Sequence, residues 1–139
     1  MADVIYTAEA TSTGGGRDGH VRSSDGFIDQ DVKMPPELGG PGGATNPEEL
    51  FAAGYAACFH GALRLAAKKK GAKIGDTTLD AAVSLTPDDT TFTIGVVLTA
   101  HMPGLDQSTA NEVMELAHEL CPYSKATRGN IDVQLKATV

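Results

Sequence analysis

The chain has 139 residues and a formal net charge of −7, which fits one domain, residues 1–139, with a core large enough to fold without staples. That acidity argues against nucleic acid and anionic membrane as main partners. Residues 50–63, an apolar stretch free of Asp, Glu, Lys and Arg, reach about two-thirds of what a bilayer span needs, and the opening residues read as a strand rather than an apolar leader, so a cytoplasmic protein is expected.

Residues 3–12 alternate loosely, with Val4, Tyr6, Ala8 and Ala10 on one side and Ile5, Thr7, Glu9 and Thr11 on the other, and predict a first strand. Gly14-Gly15-Gly16 breaks it. A second short strand is expected around His20-Val21-Arg22, then a turn at Ser23-Ser24-Asp25-Gly26 and a third strand over 27–32. Residues 33–45 are rich in Pro and Gly and predict an irregular loop.

Asn46-Pro47-Glu48-Glu49 has the marks of a helix start: a capping side chain, a proline for the first helical position and two carboxylates for the positive end of the dipole. The helix is expected to run to Lys70 and stop at Gly71. Its first half is apolar almost all round, which predicts burial on most sides. Leu79, Ala81, Val83 and Leu85, then Phe92, Ile94, Val96 and Leu98, alternate on either side of Thr86-Pro87-Asp88-Asp89 and predict a hairpin. Residues 106–120 place Val113, Leu116, Ala117 and Leu120 at helical spacing. Ile131, Val133, Leu135 and Ala137 form a closing strand. The whole predicts an α+β protein with mainly antiparallel sheets.

The chain has two cysteines. Two thiols can be spectators, a metal clamp, a structural bridge or a redox couple. Cys58 lies mid-helix between Ala57 and Phe59, where a cysteine is ordinarily a small buried hydrophobe. Burial raises a thiol's pKa, so a reactive Cys58 needs a cation brought from elsewhere in the fold. Cys121 precedes Pro122, which stops the preceding helix. It either marks a plain helix end or caps a new turn whose free amides favour a thiolate.

The pattern Cys58-x-His60…His118-x-x-Cys121 is a candidate metal site. His118 and Cys121 can share a helix face, but Cys58 and His60 are roughly 200° apart round their helix. Four convergent ligands are not expected, and no metal is assigned. The Gly14–Gly19 segment lacks the lysine ending of a phosphate loop and leads into a strand. It is read as a hairpin connection carrying a charged pair and is a natural place to present Arg17, but the residues alone do not rank Arg17 against Arg22, Arg64 and Arg128.

Three stretches together carry a family resemblance. They are Gly15-Gly16-Arg17-Asp18-Gly19, residues 46–59 from Asn46-Pro47-Glu48 to Cys58-Phe59, and Cys121-Pro122-Tyr123-Ser124-Lys125-Ala126-Thr127-Arg128-Gly129. With this element order, they resemble the organic hydroperoxide resistance proteins, the Ohr branch of the OsmC/Ohr superfamily, along essentially the whole chain. Glu49 and Lys125 stand where many relatives are expected to have Gln and Asn.

The resemblance implies antiparallel sheets wrapped around long central helices in an intertwined homodimer. It implies a Cys-based peroxidase that reduces organic (alkyl, aryl, lipid) hydroperoxides to alcohols, with no bound cofactor. An external dithiol of the dihydrolipoyl type, carried on a lipoylated protein or free, would be the reductant. Carried over, Cys58 is the peroxidatic nucleophile, Cys121 the resolving thiol, Arg17 the activating cation and Glu48 its carboxylate partner. Phe51, Tyr55 and Phe59 are candidates to receive an alkyl tail and equally good core residues. The rivals are the osmotically inducible (OsmC-type) peroxidases of the same superfamily, a non-catalytic dimeric carrier of small apolar molecules, and a zinc-binding protein.

Glu48 and Cys58 are ten residues apart, which on an unbroken helix is ~15 Å of rise. Either the helix breaks near Gly54, or Arg17 and Glu48 serve the Cys58 of another subunit. The small residues Gly54, Ala57 and Gly61, which allow two such helices to pair closely, favour the second.

Overall fold

The computed structural model describes residues 2–139 and divides into two compact units, Met1–Leu50 and Phe51–Val139. The first unit holds an antiparallel sheet of β1 (Ala10–Gly14), β2 (Gly19–Ser23) and β3 (Asp29–Val32) in that order. A short 3-10 turn at Pro36–Leu38 interrupts the Pro- and Gly-rich loop. Val32 is the one apolar side chain of the unit's described residues that is fully buried.

The first strand starts later than the alternation predicts. Residues 2–9 join no strand, and Val4, Ile5 and Tyr6 are 82%, 98% and 77% exposed. Alternation reports a capacity to lie on a pleated surface, and the first unit's sheet offers these residues no such partner.

Helix α1 (Pro47–Lys69) begins as its sequence dictates, with Asn46 Oδ1 accepting from the Glu49 N–H at 2.8 Å. It ends in a Schellman arrangement. Gly71 adopts φ +68°, its N–H reaches the Lys68 carbonyl, and the Ala72 N–H reaches the Ala67 carbonyl. The left-handed conformation is why a glycine stands there. The helix does not break near Gly54. Burial is one-sided rather than all-round. Tyr55, Phe59, Leu63, Ala66 and Ala67 are buried, whereas Ala53, Ala57, Gly61 and Leu65 form an exposed stripe at four-residue spacing. By length and apolar content α1 is the one described helix that could cross a membrane. Its large side chains instead sit in the apolar cluster of the second unit.

That unit continues with β4 (Thr78–Pro87), β5 (Phe92–His101), α2 (Gln107–Leu120), α3 (Pro122–Thr127) and β6 (Val133–Thr138). The hairpin register sets Leu79, Ala81, Val83 and Leu85 opposite Ala100, Leu98, Val96 and Ile94, so both strands turn one apolar face the same way. Asp88 secures the turn by accepting from the N–H groups of Thr90 and Thr91 and the hydroxyl of Thr93. These bonds hold its carboxyl down at about 2. β6 pairs with β5 in parallel, unlike the other strand pairs, because the chain returns through α2 and α3. Asp106 caps α2 through the Thr109 N–H. Tyr55, Phe59 and Leu63 share one cluster with Leu98, Met102, Val113, Ala117 and Cys121, each such large side chain contributing about 1.5–3 kcal/mol by burial.

Candidate active site

In the first unit the loop between β1 and β2 presents Arg17. The Gly15 N–H bonds to the Asp18 carbonyl at 2.8 Å and closes the loop on itself. Asp18 is paired with Lys33, the residue after β3. Arg17 forks onto Glu48, with Nη1 donating to Oε2 at 3.0 Å and Nη2 lying 2.8 Å from Oε1. This two-pronged geometry fixes the guanidinium plane as well as its distance. The hydrogen bond from Arg17 holds the Glu48 carboxyl below its ordinary value against the opposing effect of burial. The same bond raises Arg17. Glu49, the other carboxylate of the helix start, instead accepts from the Thr45 hydroxyl at 2.9 Å.

In the second unit the two thiols meet. Both cysteines are free, and Cys121 Sγ lies 3.4 Å from Cys58 Sγ. Cys121 is fully buried and Cys58 half-buried. A disulfide needs about 2.05 Å between sulfurs, so a small approach converts this contact into a bond. Burial pushes the Cys58 thiol up, the neighbouring Cys121 adds to that, and the Tyr123 backbone N–H, hydrogen-bonded to Cys58, opposes both.

The junction at Cys121 combines the two roles left open by its sequence. Its N–H closes α2 on the Ala117 carbonyl, and its carbonyl accepts from the Lys125 N–H to open α3. Its side chain makes no capping bond, and the amide at the start of α3 that meets a sulfur meets Cys58, not Cys121. Sequence reasoning did not assign Tyr123 this part. The signal was Pro122, which starts the turn and brings the next amide to its exposed end.

Tyr123 also packs on Gly54. A Cβ there would lie 2.9 Å from the tyrosine oxygen, so the glycine leaves room for the ring rather than a helix break. Tyr123 stands 6.4 Å from Phe51 and 5.6 Å from Tyr55, centroid to centroid. Phe51 is half-buried, while Tyr55 and Phe59 are wholly enclosed in the core. The histidines of the metal pattern are engaged elsewhere. His60 Nε2 bonds to Thr77 Oγ1 at 2.7 Å and His118 Nδ1 to Ser124 Oγ at 2.8 Å. Among the described residues no group of three or more His, Cys, Asp or Glu side chains is placed to hold a metal ion.

A model of the OsmC-like protein family matches residues 40–136, and the chain belongs to that family. Organic hydroperoxide resistance protein OhrB of Bacillus subtilis (strain 168) is 48% identical over 134 residues, covering 95% of this chain and 97% of its own. The organic hydroperoxide resistance protein of Xanthomonas axonopodis pv. citri is also 48% identical, with coverages of 95% and 94%. The crystal structure of an organic hydroperoxide resistance protein from Legionella pneumophila matches with a TM-score of 0.93 at 48% identity, over 99% of this chain and 100% of that one. Within the family the place of this chain is the Ohr branch, and its α+β architecture is the OsmC/Ohr fold.

Proposed function

We propose that this protein is a thiol peroxidase that reduces organic hydroperoxides to alcohols. The observation that carries the reading is the pair of free thiols 3.4 Å apart, one of them buried. In the first step the Cys58 thiolate attacks the distal oxygen of the hydroperoxide. The O–O bond breaks, Cys58 becomes a sulfenic acid, and the alkoxide takes a proton and leaves as the alcohol. Cys121 then attacks the Cys58 sulfur. An S–S bond forms, the S–O bond breaks, and hydroxide leaves with the thiol proton as water. An external dithiol of the dihydrolipoyl type, on a lipoylated protein, restores both thiols by exchange. No bound cofactor is needed.

Cys58 is raised by burial, so the first step needs a cation. Arg17, oriented by Glu48, is the proposed source, stabilising the thiolate and the leaving alkoxide. Because α1 is unbroken, we place Arg17 and Glu48 against the Cys58 of the partner subunit, giving two composite sites per homodimer. The uncovered stripe Ala53, Ala57, Gly61 and Leu65 and the exposed Val4, Ile5, Tyr6 and Phe27 support a second copy as their cover. Residues 1–139 then act as one OsmC/Ohr-like domain in an intertwined dimer. Phe51 is the proposed mouth of an alkyl-tail pocket with Tyr55 and Phe59 as its floor. A cytoplasmic setting, where reductants keep cycling thiols reduced, suits the chemistry.

The test is turnover of cumene hydroperoxide with a dihydrolipoyl dithiol, beside hydrogen peroxide. The reading predicts faster turnover of the aryl peroxide, and none with Cys58→Ser. Equal efficiency on both peroxides would remove the alkyl pocket, and unchanged turnover in Cys58→Ser would remove the peroxidase.

A further inference from the structure

The buried polar side chains of the described residues are Ser124 and Thr127, both on α3. They meet the hydroxyl of Tyr55, itself fully buried. Tyr55 Oη lies 2.8 Å from Ser124 Oγ and 3.0 Å from Thr127 Oγ1, and His118 Nδ1 lies 2.8 Å from Ser124 Oγ.

Each hydroxyl has a single proton, so the direction of the chain can be worked out. The Thr127 hydroxyl donates to the Ser124 carbonyl at 3.3 Å. Thr127 Oγ1 therefore accepts from Tyr55. Tyr55 then accepts from Ser124, and Ser124 from the Nδ1–H of His118. The order of donation is His118, Ser124, Tyr55, Thr127, Ser124 carbonyl. Burial and then the charge of Arg128 hold His118 below its ordinary value, which suits a neutral ring with its proton on Nδ1. Arg128 in turn donates to the His118 carbonyl at 2.8 Å.

This network runs beside the thiol pair and joins the same elements. Tyr55 is three residues before Cys58 on α1, His118 three before Cys121 on α2, and Ser124 three after it on α3. The need for an anchor is plain. α3 has six residues and no capping side chain, and so short a helix does not hold its own place. Cys121, whose sulfur lies against Cys58 at the junction of α2 and α3, depends on that placement.

We infer that Tyr55, Ser124, Thr127 and His118 are positioning residues that hold Cys121 within reach of Cys58 and so set the rate of disulfide closure. The inference rests on the proposed peroxidase reading for its step: the Cys121 sulfur replaces the hydroxyl of the Cys58 sulfenic acid, and water leaves. Without the anchor the sulfenic acid lasts longer, and a second peroxide oxidises it to sulfinic acid.

The experiment mixes the reduced full-length protein with one equivalent of cumene hydroperoxide and follows peroxide loss and disulfide formation separately. Ser124→Ala and Thr127→Val should consume the first equivalent at the wild-type rate but close the disulfide about 10- to 100-fold more slowly. In excess peroxide their sulfinic fraction should rise. Thr127→Ser, which keeps the hydroxyl, should behave as wild type. Should Ser124→Ala not fold, Thr127→Val carries the test. Closure at wild-type speed in the folded variants overturns the inference, as does equal slowing of both steps. If the wild-type protein consumes no hydroperoxide, the peroxidase reading fails on its own. Closure driven by diamide then decides the positioning role by the same comparison.

Discussion

The two units of this molecule are held by different physics. The first is a three-stranded sheet with one fully buried apolar side chain among its described residues, and its fixed points are charges: Arg17 on Glu48, Lys33 on Asp18, and His20 between Asp29 and Asp31. The second is a packed apolar cluster that encloses Cys121 and a hydroxyl network, with Cys58 half-buried against it. The difference suits a division of labour. A guanidinium must keep its charge, so it is presented near water and oriented by a carboxylate. On the proposed reading, the resolving sulfur of Cys121 is kept in the buried core. Charge pairs near the surface are adjustable and weak, whereas packing is rigid and costly to disturb.

The largest expected effects strike the thiols. Cys121→Ser should keep the first turnover, leave a sulfenic acid and lose sustained turnover with dithiol, as read by mass spectrometry after one equivalent of peroxide. Next comes the charge pair. Arg17→Ala should lower the second-order rate with hydroperoxide by about 10²–10³-fold, and Arg17→Lys should recover only part, because an ammonium cannot fork onto Glu48. Mixed dimers of Cys58→Ser and Arg17→Ala subunits sharpen this. A shared site predicts about one working site per mixed dimer, and no recovery argues for a site within one subunit.

Stability should separate the units more sharply than activity does. Leu63→Ala should cost about 2–5 kcal/mol in chemical unfolding, while Asp18→Ala should leave the midpoint almost unmoved. The smallest expected effect is a pH dependence confined to the first sheet. The hydrogen bonds that the His20 ring donates to Asp31 and then Asp29 raise it above its ordinary 6.5. A raised folded value means that this pairing supports the sheet fully below about 6.5 and is lost as pH rises through the folded value. Amide exchange in β2 and β3, corrected for intrinsic rates, should therefore quicken above neutrality while β5 stays protected. Equal protection in both sheets at all pH values would erase the distinction.

Much of the fold was legible because the local signals agreed. The start and stop of α1, the β4–β5 hairpin and α2 each combined a periodic apolar face with cap or turn chemistry. The first strand misled because residues 2–9 alternate without a sheet partner in the chain. The all-round apolarity of α1 misled for a related reason, since Ala53, Ala57 and Gly61 are left uncovered. Both mismatches fall where a second copy is proposed. At the site, the Arg17–Glu48 pairing was expected from the resemblance, and the fork geometry is what the structure adds. The hydroxyl network was not legible. Ser124 and Thr127 look like surface helix residues, and only the depth of α3 against Tyr55 gives them partners.

The central claim is that Cys58 and Cys121 form one redox couple. Counting free thiols before and after one equivalent of cumene hydroperoxide, with peptide mapping of the product, tests it most directly. The account predicts the loss of two thiols per chain and a peptide pair joined through residues 58 and 121. A chain that keeps both thiols, or joins neither peptide to the other, contradicts it.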